Sequence, residues 1–168
     1  MNEDNIAKTV ARNLPISLKQ SVEICSFIKN KTTAKAKSQL QQVIKKKLAI
    51  PFKRYNQDLA HKPGMASGRY PEKASIYFIK LLNSLEANAE FKNLSTNLII
   101  TYASASKGNS QFHFGRQRRR KMKRTHIEIR AMEKEPEEES KKQKIKTTKE
   151  TQDKKIKNDR KEIHKPES

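Results

Sequence analysis

At 168 residues the chain suits one domain with appendages, and hydrophobic residues, at 33%, fall well below the globular norm of roughly 45%. Only part of the chain can therefore enter a packed core, and a net charge of +20 points to a polyanionic partner. A single cysteine, Cys25, excludes an internal disulfide and any cysteine-rich zinc module; no stretch approaches the ~20 apolar residues of a membrane span, and Met1-Asn2-Glu3-Asp4 is no basic signal-peptide start.

Residues 7–15 read as a short extended lead, with Val10, Arg12 and Leu14 alternating against their neighbours and Pro15 ending the run. Ser17 with Gln20 forms a capping-box pattern that opens a helix to about Asn30, with Leu18, Val22, Cys25 and Ile28 on its apolar face, flanked by Ile24 and Phe27. Thr32 or Thr33 caps a second helix to about Leu48, with Ala36, Leu40, Val43 and Ile44 inward and Lys35, Lys37, Lys45, Lys46 and Lys47 mostly outward. Residues 51–69 form a long polar connection of irregular composition. Loops of that length are functional or disordered, and Lys53, Arg54, His61, Lys62 and Arg69 favour one ordered by RNA. Pro71 is placed as the first residue of a strong helix to about Glu90, with Glu72 against the helix dipole and Ala74, Phe78, Leu81, Leu82, Leu85 and Ala89 in one stripe.

Residues 98–105 and 121–132 read as two antiparallel strands of a long hairpin, whose far end has no core to pack against. Between and within them lies the most informative stretch, 116–124, in which Arg116, Arg118, Arg119, Arg120, Lys121, Lys123 and Arg124 are cationic. Extended as one arm, these side chains would be set at ~3.3 Å steps along a finger that repels itself unless a polyanion lies beside it. RNA with deep crevices suits such a finger better than a smooth duplex, and arginine suits planar phosphate contact. Residues 1–132 hold 26 Lys/Arg against 8 Asp/Glu, a net of +18, whereas 133–168 carry only +2.

The expected fold class is α+β: a three-helix domain packed on a small antiparallel sheet, with an extended β-hairpin at about 98–132. Residues 1–132 form that domain, and 133–168, nearly devoid of apolar residues, form a disordered charged tail.

Gly68-Arg69-Tyr70-Pro71-Glu72-Lys73-Ala74, the segment from Leu81-Leu82-Asn83 to Ala87-Asn88-Ala89-Glu90, and Thr125-His126-Ile127-Glu128-Ile129 together resemble the universal large-subunit ribosomal protein L twenty-two family. The long connection after the second helix and the charged tail are similar to its archaeal and eukaryotic branch. The resemblance covers about residues 7–132. It implies a structural constituent of the large ribosomal subunit in the cytoplasm, binding large-subunit rRNA beside neighbouring ribosomal proteins. It also implies a hairpin that lines the nascent-peptide exit tunnel, with Phe112, His113, Phe114, Gly115 and Arg116 at its tip and the nascent peptide as a partner. Two departures from the family pattern stand out. Only Gly115-Arg116 matches the usual tip segment, and the ascending arm, 98–114, is several residues short, with Lys107 its only cation.

The bets for phosphate contact are Arg116, Arg118, Arg119, Arg120, Lys121, Lys123 and Arg124, with a second patch of Lys53, Arg54, Lys62 and Arg69. Phe112, His113 and Phe114 read as hairpin packing or as base-stacking groups, Tyr70 as core anchor or RNA contact, and Asn88 as bonded to backbone or to RNA. Cys25, on an apolar face, reads as packing. His61, His113, His126 and His164 lack metal-ligand spacing, and no P-loop, paired-carboxylate or nucleophile-elbow motif is present, so no catalysis, metal or cofactor is expected. No helix pairs a Lys/Arg face with a Trp/Phe face, so no membrane partner is expected either. The rival reading is a DNA-architectural, chromatin-type protein with a basic β-arm in a groove.

Overall fold

A computed structural model describes residues 5–133; the disordered tail expected from 133 onward lies outside the described residues, except that Glu133 closes the last strand. The chain order is β1 (Ile6–Leu14), α1 (Leu18–Ile28), α2 (Thr33–Ile44), β2 (Ile50–Pro51), β3 (His61–Lys62), β4 (Met65–Arg69), α3 (Glu72–Phe91), β5 (Leu98–Lys107) and β6 (Thr125–Glu133). This is the expected α+β architecture, with one addition. A principal sheet runs β1-β6-β5, fully antiparallel, and a second small sheet runs β2-β4-β3.

The core lies between the principal sheet and the helices. Strand alternation sends Ala7, Leu98, Ile100, Ile127, Ile129 and Ala131 inward, where they meet Ile24, Ile28, Leu40, Val43, Phe78, Leu82 and Leu85. Each fully buried large apolar side chain contributes about 1.5–3 kcal/mol. On α1 the buried stripe is Ser21, Ile24, Cys25 and Ile28, turned toward the Ile24 flank of the expected face, and Leu18 and Val22 are only half-buried. The Ser17–Gln20 capping box does not form. Ser17 holds the N-cap position without a side-chain cap bond, and its carbonyl accepts from the Ser21 hydroxyl at 2.9 Å.

Thr32 caps α2, its hydroxyl accepting from Lys35 N–H at 3.4 Å. The helix stops at Ile44 rather than near Leu48 because Lys46 turns left-handed (φ 59°). Its N–H then donates to Val43 O at 3.0 Å, and Lys47 N–H donates to Gln42 O at 2.9 Å, satisfying the last carbonyls. Pro71 is the N-cap of α3 rather than its first helical residue, and Leu81 is half-buried beside a buried line of Ala74, Phe78, Leu82, Leu85 and Ala89.

Both edges of the principal sheet are bonded in part. Asn88 Nδ2 donates to Lys8 O at 3.0 Å and Lys92 Nζ to Ile6 O at 3.1 Å along the outer edge of β1. On the β5 side, Asn30 N–H donates to Ile100 O at 2.8 Å, and Ile100 N–H donates to Lys31 O at 3.0 Å. Asn88 is thus a backbone-bonding residue, and part of each edge is closed to another chain.

Residues 51–69 correct the expectation of an irregular connection ordered by RNA, since they are ordered by their own chain. β4 pairs with both β2 and β3, with Gly64 (φ 73°) making the tight turn before it. The organising group is Glu23 on α1, only 3% exposed. Its carboxylate accepts from the backbone N–H groups of Lys53 (3.1 Å), Arg54 (2.9 Å) and Tyr55 (2.9 Å).

Candidate nucleic-acid interface

The β5–β6 ladder runs from Leu98–Glu133 to Lys107–Thr125, with Thr101 bulged out. Gly108 N–H donates to Arg124 O at 2.9 Å where the arms leave the sheet. A Cβ at Gly108 would lie 3.0 Å from Asn13 Oδ1 and 3.1 Å from Arg124 Cβ, so glycine permits this close exit. Beyond it the pairing is intermittent: Met122 N–H donates to Gln111 O at 2.7 Å, Phe112 bridges Lys121, and His113 N–H donates to Arg120 O at 2.8 Å. Gly115, left-handed at φ 66°, opens a single 3₁₀ turn over Gly115–Gln117.

The run 116–124 is therefore not a straight arm with cations at even steps, and the second hairpin strand begins at Thr125 rather than Lys121. The physical reason is closure. Two short arms must be joined, and the polar sequence reverses at the left-handed Gly115 and the 3₁₀ turn it opens. Gly115, Arg116, Arg118, Arg119 and Arg120 line an open concavity of ≈ 790 Å³, and all five residues are exposed. Phe114 is 87% exposed beside it; Phe112, 58% exposed, carries Lys121 Nζ over its ring at 5.0 Å.

The lower part of the hairpin lies against the domain, and only the part beyond it projects. Lys121, Met122, Lys123 and Arg124 share a groove of ≈ 610 Å³ with Lys107, with Ser17–Gln20 at the start of α1, and with Asn56 of the β2–β3 loop. Lys19 Nζ donates to Asn56 Oδ1 at 3.4 Å across it. On another side, His113 and Lys121–Arg124 meet Pro15 and Lys73 around a hollow of ≈ 330 Å³. Lys19, Lys73 and Lys107 thus join the hairpin cations around these hollows, a grouping that the sequence alone does not reveal. They belong to different elements, and only the fold gathers them.

The second patch is one module. Lys53 and Arg54 are exposed on the loop that Glu23 holds, Lys62 lies on β3, and Arg69 ends β4 opposite Ile50. Arg54 lies over the Tyr55 ring at 5.5 Å, and Lys62 lies over Tyr70 at 5.6 Å. Tyr70 itself is half-buried against the core, which makes it an anchor with a cation on its outer face. Cys25 is buried, and burial pushes its thiol up to about 12, the direction of an inert packing residue. Among the described residues no group of three His, Cys, Asp or Glu side chains is placed to hold a metal ion, and no helix is long and apolar enough to cross a membrane.

The arrangement brings cations from separate elements to one groove, with an exposed arginine turn beyond it. Residues 9–132 match the family described as Ribosomal protein L22p/L17e. The chain is 49% identical over 109 residues to the large ribosomal subunit protein uL22 of Methanoculleus marisnigri, covering 62% of this chain and 71% of that one. It is 45% identical over 111 residues to the protein of the same name from Archaeoglobus fulgidus, covering 64% and 72%. With its counterpart in Thermoplasma acidophilum it shares 45% identity over 107 residues, covering 63% and 71%.

Proposed function

Because the chain belongs to the ribosomal protein L22p/L17e family, we propose that it is a structural, non-enzymatic constituent of the large subunit of the cytoplasmic ribosome that binds large-subunit rRNA and supports its assembly. Residues 1–132 are the rRNA-bound domain, and 133–168 are a charged appendage to it. The observation that carries the reading is the gathering of cations from separate elements: Lys19 from α1, Lys107 from β5, and Lys121, Lys123 and Arg124 from the hairpin line one groove.

Each cation set against a phosphate releases condensed counterions, so a groove of this kind gains affinity for RNA without reading its sequence. Arg116, Arg118, Arg119 and Arg120 engage phosphates deeper in a crevice, where bidentate guanidinium geometry is favoured. Lys53, Arg54, Lys62 and Arg69 hold a second rRNA segment, and neutralisation at both places lets the two segments approach one another. The tip, Phe112 to Arg116, forms part of the exit-tunnel wall and faces the nascent peptide. Its exposed Phe114 and open arginine turn support that placement.

Sedimentation of tagged protein through a sucrose gradient tests the reading. Co-migration with large subunits and polysomes through a moderate salt wash is expected. Recovery only in the soluble fraction or on chromosomal DNA, or equal binding of duplex DNA and rRNA by the purified chain, would overturn it.

A further inference from the structure

Among the described residues, the helices cover one face of the principal sheet and leave the other open. Strand pairing stacks that outer face in rows: Lys8, Arg130 and Tyr102 form one, and Val10, Glu128 and Ser104 the next. Arg12 continues the alternation along β1, and His126 continues it along β6. None of these residues belongs to the two basic patches described above.

We propose that this open sheet face is a separate binding platform for single-stranded RNA, on which an unpaired base stacks against Tyr102 and the Arg130 guanidinium. The inference rests on the rRNA-binding reading of the chain and adds a surface to it. Tyr102 is 43% exposed, and Arg130 lies over its ring at 5.1 Å. Glu128 holds that guanidinium in place, accepting from Nε at 2.8 Å and lying 2.7 Å from Nη2. The phenol and guanidinium therefore present a preorganised flat surface, and less side-chain freedom is lost when a base settles on it.

Lys8 Nζ lies 3.3 Å from the same carboxylate, so Glu128 is neutralised from two sides and Arg12 adds further positive charge. Asn13 N–H donates to His126 Nδ1 at 3.1 Å. The neutral ring then carries its proton on Nε2, a donor for a base edge or a phosphate. A protein partner fits this face poorly. Exposed Val10 is cut off from half-buried Met132 and Ile99 by the Lys8–Arg130–Tyr102 row, so no continuous apolar area is on offer. A duplex would present phosphates and leave the aromatic ring unused.

The test uses the full chain carrying Arg118→Ala, Arg119→Ala and Arg120→Ala, so that failure of the hairpin reading is scored separately, in the parent chain, as loss of preference for rRNA. In that background, binding of a short single-stranded oligoribonucleotide is compared with binding of the same sequence as a duplex. Tyr102→Leu should weaken the single strand about tenfold and spare the duplex, while Tyr102→Phe should match the parent. Arg130→Lys, which keeps the charge and removes the plane, should repeat the selective loss, and it decides the matter should Tyr102→Leu lower the melting temperature. An equal loss for duplex and single strand, no loss at all, or the same loss with Tyr102→Phe would overturn the proposal. So would a photocrosslinking residue at position 102 that, in assembled large subunits, joins protein instead of RNA.

Discussion

Replacing Glu23 should loosen the small sheet and its basic loop without touching the hairpin. The carboxylate accepts from three backbone N–H groups, with Oε1 serving Arg54 and Tyr55 and Oε2 serving Lys53. A sheltered hydrogen bond to a charged group contributes about 1.5–3 kcal/mol. Here the donors sit in a loop whose Lys53 and Arg54 are exposed, so water recovers part of each bond in the variant. Taking ~1 kcal/mol per bond, Glu23→Ala should cost about 3 kcal/mol, or on the order of 10 °C in Tm for a domain of this size. Glu23→Gln keeps one acceptor oxygen and turns an amide toward a backbone donor, so about half that loss is expected. Thermal melting followed by circular dichroism reads the size of the effect, and amide exchange reads its place. Protection should fall at residues 53–55 in both variants, and rRNA affinity should fall with it because Lys53 and Arg54 lose their fixed positions. A Glu23→Ala chain that melts with the parent and keeps slow exchange at 53–55 would refute the reasoning.

Three further perturbations separate binding from folding. Replacing Arg118, Arg119 and Arg120 with Ala should leave the melting temperature unchanged, while the logarithmic salt dependence of RNA binding flattens by ~0.7–0.9 for each phosphate no longer neutralised; unfolding at constant slope would make these residues structural. Cys25 should resist thiol reagents in the native chain and react on unfolding. Its raised folded value, about 12 against an ordinary 9.0, favours the neutral thiol, so its contribution is complete below pH 9 and declines as pH rises toward 12. The decline should approach about 1.4 kcal/mol per pH unit. Cys25→Ala, by alkaline melting, should lose that pH dependence. Asn88→Ala removes the bond to Lys8 O and should cost about 0.5–1.5 kcal/mol, measured by denaturant titration, with rRNA affinity unchanged.

The three helices were legible because Ala36, Leu40 and Val43, or Phe78, Leu82 and Leu85, repeat at helical spacing around buried positions. Thr125 to Ile129 was legible as a strand because alternation survives in its buried Thr125, Ile127 and Ile129. The small sheet was not legible. β2 and β3 are two residues each, too short for any period, and their order depends on Glu23, which lies in a different element. Composition reveals the cations at 116–124 but not their geometry, since a charge count says nothing of where a chain reverses. The gathering of Lys19, Lys73 and Lys107 around the hairpin was not legible, because each is an ordinary surface lysine in its own segment and becomes part of a groove only through tertiary placement. The capping pattern at Ser17 misled for a related reason. Ser17 offers its carbonyl, not its hydroxyl, to the first turn, where the Ser21 side chain takes it up.

The middle strand of the principal sheet is also the last described strand to be synthesised. β6 pairs with β1 across more than a hundred residues of chain, as in Lys8 with Arg130 and Thr9 with Ile129, and it is the neighbour that joins β1 to β5. During translation the helices can form as they emerge, but β1 has no strand to lie against until residues 125–133 appear. Closure of so long a loop is slow and contributes nothing until the final pairing is made. The arginine turn therefore leaves the synthesising ribosome before the domain behind it can close. A chain stopped short of Thr125 is left with unpaired strands and a basic tip, whereas completion of a single nine-residue strand locks both halves of the sheet together.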